Sequence, residues 1–102
     1  HLEALVHSIR REPERAWSLE QMMREARMGA TRLNRCCKEV TGFSPTRWVI
    51  RCRVERAAVL LRDTPMKIAA IAEACGYADV YFFARQFRQV TGRTPGAWRR
   101  IQ

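Results

Sequence analysis

Residues 68–98 read IAAIAEACGYADVYFFARQFRQVTGRTPGAW, and their spacing decides the fold. Ile68, Ile71, Ala72 and Cys75 recur at the i, i+3, i+4, i+7 spacing of one apolar helix stripe. Gly76 supplies the turn that follows. In the next helix Phe82, Phe83, Gln86, Phe87 and Val90 are expected to face inward. Val80, Tyr81, Ala84, Arg85 and Arg88 then share the opposite, solvent-facing side, which is mixed and basic. Gly92 closes this helix, and a short last helix is expected from Pro95 to Ile101, with Trp98 packed inward. Helix, tight turn, helix is the helix-turn-helix pattern.

The same pattern occurs earlier. Residues 38–48 read KEVTGFSPTRW and residues 88–98 read RQVTGRTPGAW, a shift of 50 positions. Val40, Thr41, Gly42, Pro45 and Trp48 recur as Val90, Thr91, Gly92, Pro95 and Trp98. The exposed set of the later helix maps back to Ala30, Thr31, Asn34, Arg35 and Lys38. Two copies are too few for a solenoid and imply a duplicated binding unit. A helix-turn-helix places its second helix in a DNA major groove, so a polyanion is the expected partner.

Charge agrees with that partner. The 102 residues carry a net charge of +9, of which +3 falls on residues 1–50 and +6 on residues 51–102. Lys38 and Lys67 are the only lysines, and arginine suits bidentate contacts to phosphate and guanine. A plain solvated basic surface is the bland reading of the same numbers. The apolar fraction of 47% suffices for a packed core. Cys36, Cys37, Cys52 and Cys75 form no CxxC pair, and His1 and His7 lie far from them, so no zinc site is expected. All four cysteines are expected to be reduced, small apolar residues. Neither a catalytic triad, a Gly-rich phosphate loop nor a metal constellation is present, so neither enzyme activity nor a cofactor is expected. No apolar run reaches the ~20 residues of a membrane span, and His1 is not a natural initiator, which suggests a fragment.

In chain order, Leu2 to Arg11 is a predicted helix with Leu2, Leu5, Val6 and Ile9 as its stripe, stopped by Pro13. Glu12 to Ala16 is a polar connection anchored by Trp17. Ser18 caps the second helix, with Gln21 at the capping-box position and Leu19, Met22, Met23 and Ala26 inward. Arg27 to Ala30 turns the chain. Thr31 to Val40 is the first recognition helix, with Leu33, Cys36, Cys37 and Val40 inward and Gly42 as its C-terminal cap. Ser44 and Pro45 open a long helix to about Arg62, about 27 Å at 1.5 Å per residue, which reads as a rigid spacer. The expected organisation is all-α: a first helix-turn-helix unit over 1–43, a linker helix over 44–63 and a second unit over 64–102.

These residues resemble the DNA-binding domain of AraC/XylS-type bacterial transcription regulators over nearly the whole chain. IAAIAEACGY and TGRTPGAW match the family pattern I-x-x-I-A-x-x-x-G-[FY] and G-x-[ST]-P, YFFARQF is similar to its Y-F-x-x-x-F, and the segment RVERAAVLL is also similar. The resemblance implies about seven helices, with two recognition helices in successive major-groove segments. It places Thr31, Asn34 and Arg35 of the first unit, and Val80, Tyr81, Ala84 and Arg85 of the second, at base or phosphate contacts. Lys38 and Arg88, on the same faces, would meet phosphate. It also implies double-stranded promoter DNA and RNA polymerase as partners, a further N-terminal effector or dimerisation domain, and a cytoplasmic site of action. In the first unit Arg27 stands at the usual glycine, Met23 at a usual small residue and Cys37 at a usual phenylalanine, so its packing is expected to differ. The alternative from another class is a basic helical module that binds nucleic acid non-specifically or docks a protein.

A titration against salt tests the electrostatic part of this reading. The logarithm of the affinity for labelled duplex should fall linearly with the logarithm of salt, with a slope of about −0.9 per phosphate neutralised. A flat response contradicts a phosphate-facing role for the +9 charge.

Overall fold

The computed structural model describes residues 1–101, and among these the regular secondary structure is entirely helical. The seven helices are α1 (Leu2–Arg11), α2 (Leu19–Ala26), α3 (Ala30–Thr41), α4 (Pro45–Asp63), α5 (Ile68–Ala74), α6 (Val80–Thr91) and α7 (Pro95–Arg100). The chain divides into two compact units, His1–Cys52 and Arg53–Gln102, with the division falling inside α4.

In the first unit α1, α2 and α3 pack on one another and on the start of α4 around Leu5, Ile9, Met22, Leu33, Trp48 and Cys52. The helix ends follow from local chemistry. The Ser18 hydroxyl accepts from the Gln21 amide at 3.1 Å, capping α2. The Gln21 side chain donates onward to Glu25 at 3.0 Å. The Trp48 indole N–H donates to the Val6 carbonyl at 3.3 Å, tying α4 to α1. The Arg10 guanidinium lies 4.9 Å over the same ring.

The second unit buries Val54, Ala57 and Leu61 of α4 together with Ile71, Ala72, Cys75, Tyr77, Phe83 and Phe87. Its centre is a run of aromatic contacts. Tyr77 lies 5.1 Å from Phe83, Phe83 lies 5.8 Å from Phe87, and Trp98 meets Phe87 edge-on at 5.8 Å. The Arg99 guanidinium donates to the carbonyls of Leu61 and Thr64, at 3.0 and 3.1 Å, fastening α7 to the end of α4.

The duplicated VTGx[ST]P segment makes one structure twice. The Thr41 hydroxyl donates to the Cys37 carbonyl at 2.8 Å and accepts from the Phe43 amide at 3.0 Å. The Thr91 hydroxyl donates to the Phe87 carbonyl at 2.9 Å and accepts from the Arg93 amide at 3.2 Å. Gly42 and Gly92 adopt φ of 85° and 83°, the left-handed region that terminates a helix at low cost in glycine. Ser44 and Thr94 then cap α4 and α7 through the amides of Arg47 and Ala97. The link from each of these helices to the helix that follows is thus set by three residues acting on the backbone, Thr41, Gly42 and Ser44 in one copy and Thr91, Gly92 and Thr94 in the other.

Three expected inward residues face out. Phe82 is 47% exposed because Phe83 and Phe87, both fully buried, fix the rotation of α6. One residue turns a helix by about 100°, which carries Phe82 off the buried stripe. Its counterpart at the 50-residue shift is Arg32, also exposed. Val40 is 52% exposed, in the last turn of α3 where it borders a groove shared with Val6 and His7 of α1. Leu19 is 41% exposed in the first turn of α2. Gln86, Val90 and Cys36 are half-buried at the edges of their stripes, as are Met23 and Trp98. The four cysteines form no disulfide with one another, and burial pushes the Cys37 thiol up from its ordinary pKa. The last helix stops at Arg100, one residue before the expected end.

Two stability predictions follow from these packings. Phe87→Ala should cost about 3–5 kcal/mol in chemical denaturation, while Cys37→Ala, which removes far less buried volume at the matching position, should cost clearly less. Equal losses would contradict the central place of Phe87. Separately, Arg27 holds φ 56° and ψ 44°, a left-handed conformation costly for a side chain with a Cβ, where the second unit has Gly76 at φ 95°. Arg27→Gly should therefore raise the unfolding free energy by about 0.5–1 kcal/mol, after the entropic cost of glycine is counted, and Gly76→Ala should lower it by about 1–2 kcal/mol. A fall in the urea midpoint for Arg27→Gly at unchanged slope would refute the strain.

Candidate nucleic-acid interface

Each unit buries one stripe of a twelve-residue helix and leaves the opposite stripe free. In α3 the buried residues are Leu33 and Cys37; in α6 they are Phe83 and Phe87. The angular centre of the exposed face lies about 180° away on a helix of 3.6 residues per turn, at Arg35 and at Arg85. Sequence register alone therefore aims these two arginines outward, provided that the buried pairs stay buried.

The structure exposes seven of the nine residues singled out in the sequence; Val80 and Ala84 are the exceptions. Thr31, Asn34, Arg35 and Lys38 of α3 are exposed. On α6, Arg85 and Arg88 are exposed and Tyr81 is 75% exposed. Ala84 is half-buried at the border of the face, and Val80, also half-buried, lies about 140° around the helix from Arg85, beside the buried stripe rather than on the outer side expected of it. Arg32 and Phe82, at equivalent positions one turn-step from the buried stripe, also reach the surface beside Arg35 and Arg85. Apolar periodicity put Phe82 inward and left Arg32 unassigned. The repeat carried the signal, because a charged residue stands at the position of Phe82.

The entry to each recognition helix differs between the units. In α6 the Asp79 carboxylate accepts from the Tyr81 amide at 2.8 Å, which fixes the first turn. In α3 the corresponding cap is Gly29, whose lack of a side chain leaves the first turn without such a bond. The turn ahead of α6 is pinned by Tyr77, whose hydroxyl donates to the Gln86 side chain. Burial pushes the Tyr77 phenol up to about 12. That ring also takes the Arg53 guanidinium at 5.5 Å and the Phe82 ring at 6.1 Å. In the first unit Met28 fills the place of Tyr77 and packs on the core without a polar anchor.

Each face is suited to an anion. That of α3 offers a guanidinium, an ammonium and the Asn34 amide, and that of α6 offers guanidinium groups and the Tyr81 phenol. Among the described residues no group of three or more His, Cys, Asp or Glu side chains could hold a metal ion. No helix among them is long and apolar enough to cross a membrane.

Comparison with known proteins agrees with this geometry. A family model described as a helix-turn-helix domain matches residues 22–101. The HTH-type transcriptional regulator MtrA of Neisseria gonorrhoeae is 28% identical over 96 residues, covering 94% of this chain and 32% of MtrA. The HTH-type transcriptional activator RhaR of Salmonella schwarzengrund is 26% identical over 100 residues, covering 98% of this chain and 36% of RhaR. The chain thus spans about a third of the length of these curated relatives. Among solved structures, the DNA-binding domain of the transcriptional factor AdpA, crystallised with a target DNA, superposes with a TM-score of 0.91 at 25% identity, covering 98% of this chain and 90% of that one. The C-terminal domain of AraT, a response regulator from Geobacillus stearothermophilus, gives 0.88 at 26% identity over 99% of this chain and 84% of that one. Two stacked observations, a duplicated helix-turn-helix with basic outer faces and a family match over most of its length, place the chain among transcription-regulator domains rather than enzymes: it belongs to the AraC/XylS-type family of helix-turn-helix DNA-binding domains.

Proposed function

We propose that α3 and α6 are the two recognition helices of one chain and enter successive major-groove segments of promoter DNA, about ten base pairs apart. The observation that carries this reading is the repetition itself: two units bury the same stripe of an equivalent helix and leave the same stripe free. The helix-turn-helix segments within 1–43 and 64–102 are the two readers, and residues 44–63, whose two halves each pack into one unit, link them. Lys38, Arg88 and Thr31 hold the phosphate backbone and set register. Asn34 and Arg35 read bases in one segment, and Arg85 and Tyr81 read them in the other, with Arg suited to guanine and Asn to adenine. Val80 and Ala84 can recognise only thymine methyls or local shape.

The relatives extend well beyond the matched region, and this supports a longer regulator in which a separate N-terminal segment senses an effector or dimerises. In that reading the protein works in the cytoplasm, where bound promoter DNA brings it beside RNA polymerase. The relatives named as a regulator and an activator of transcription favour this arrangement.

Substitution of the two outward arginines tests the proposal. Arg85→Ala should weaken specific binding by about 1–3 kcal/mol and relax preference at one position of one groove segment. Arg35→Ala should do the same in the other segment. Footprinting each variant against libraries with one segment randomised separates the outcomes. Loss of affinity for all sequences alike would instead favour a non-specific basic module, and effects of both variants in one segment would refute two-unit readout.

A further inference from the structure

Phe82 has no place in the core it was expected to join, and none of the DNA contacts proposed above uses it. Its ring is nearly half exposed on the flank of α6, yet it is not isolated. One side faces the buried Tyr77 ring at 6.1 Å. The Arg85 guanidinium lies 5.8 Å from its centroid, three residues along the same helix. Tyr77 is in turn held by its hydroxyl bond to Gln86 and by the Arg53 guanidinium at 5.5 Å. The result is a ladder within the second unit, Arg53, Tyr77, Phe82, Arg85, that runs from a buried phenol to the centre of the exposed face.

Arginine carries large rotamer entropy, which a free side chain gives up when it engages a base edge. A ring that restricts the guanidinium before contact reduces that loss. The first unit has no such device: Met28 replaces Tyr77, and Arg32 replaces Phe82. Arg32 and Arg35 are like charges three residues apart and repel rather than stack.

We infer that Phe82 is a positioning residue that pre-orients Arg85 for base readout, so that the second unit discriminates its DNA segment more sharply than the first. The inference rests on the proposed reading of Arg85 at a base edge. It concerns the selectivity of binding rather than its strength, because a stacked arginine attracts phosphate no better than a free one.

The experiment measures relative affinities for duplexes varied at the position read by Arg85, using wild type, Phe82→Leu, Phe82→Tyr, Arg85→Ala and the double variant Phe82→Leu/Arg85→Ala. Urea unfolding runs in parallel, since the exposed position should leave stability almost unchanged. Phe82→Leu keeps apolar volume but removes the ring, and it should lower discrimination at that position about two- to fivefold. Phe82→Tyr should restore it, and Phe82→Leu should add nothing once Arg85 is alanine. Undiminished discrimination in Phe82→Leu, with discrimination lost in Arg85→Ala, overturns the positioning role and leaves base readout standing. No change of preference in Arg85→Ala overturns both. An equal loss from Phe82→Leu in the Arg85→Ala background assigns Phe82 its own DNA contact and likewise overturns positioning through Arg85.

Discussion

Burial of two side chains on one stripe of each recognition helix is the constraint on which everything else depends. A helix packed through one stripe has no remaining rotational freedom. With Phe83 and Phe87 fully buried, Arg85 must point away from the core, and with Leu33 and Cys37 buried, Arg35 must do so. The functional face is therefore specified by residues that cannot touch a ligand. This division explains why the apolar stripe and the outer face are separable in chemistry: the first needs volume and shape, the second needs donors and charge.

Duplication gave the two units the same frame and unequal contents. The Thr-Gly-x-[Ser/Thr]-Pro segment reproduces the same hydroxyl bonds and the same left-handed glycine in both. The differences lie ahead of and beneath the recognition helices. The second unit has a glycine in its turn, a tyrosine bonded across to Gln86, a carboxylate cap and an aromatic core. The first has a strained arginine, a methionine, an uncapped glycine and a thiol at the same places. α1 compensates in part, through the Trp48 bond to Val6 and the Leu5 and Ile9 side chains.

Most of the fold was legible because it is written in periodicity and punctuation. Ser18, Gly42, Ser44, Pro45, Gly92 and Pro95 mark helix ends within a residue or two of where they fall. Phe82 was misplaced because hydrophobicity does not distinguish a stripe from its shoulder; the register set by Phe83 and Phe87 does, and Arg32 at the matching position was the available sign. Val40 and Leu19 were misplaced because end turns of helices lose neighbours that mid-helix positions keep. The centres of the outer faces, Arg35 and Arg85, could be drawn from spacing, but their borders at Val80, Ala84 and Phe82 could not. The Tyr77–Gln86 bond and the Arg85–Phe82 stacking could not, since they depend on where side chains meet across a turn or along a helix surface.

The most direct test of two-unit readout follows backbone amide resonances of the labelled chain as a selected operator duplex is added, with a random duplex of equal length as reference. Two-unit readout predicts that the operator perturbs both α3, around Asn34 and Arg35, and α6, around Tyr81 and Arg85, at one protein per site, and that the random duplex causes smaller shifts without the base-facing residues. Perturbation confined to one of these helices, or centred on α1 and the basic side chains of α4, would contradict it.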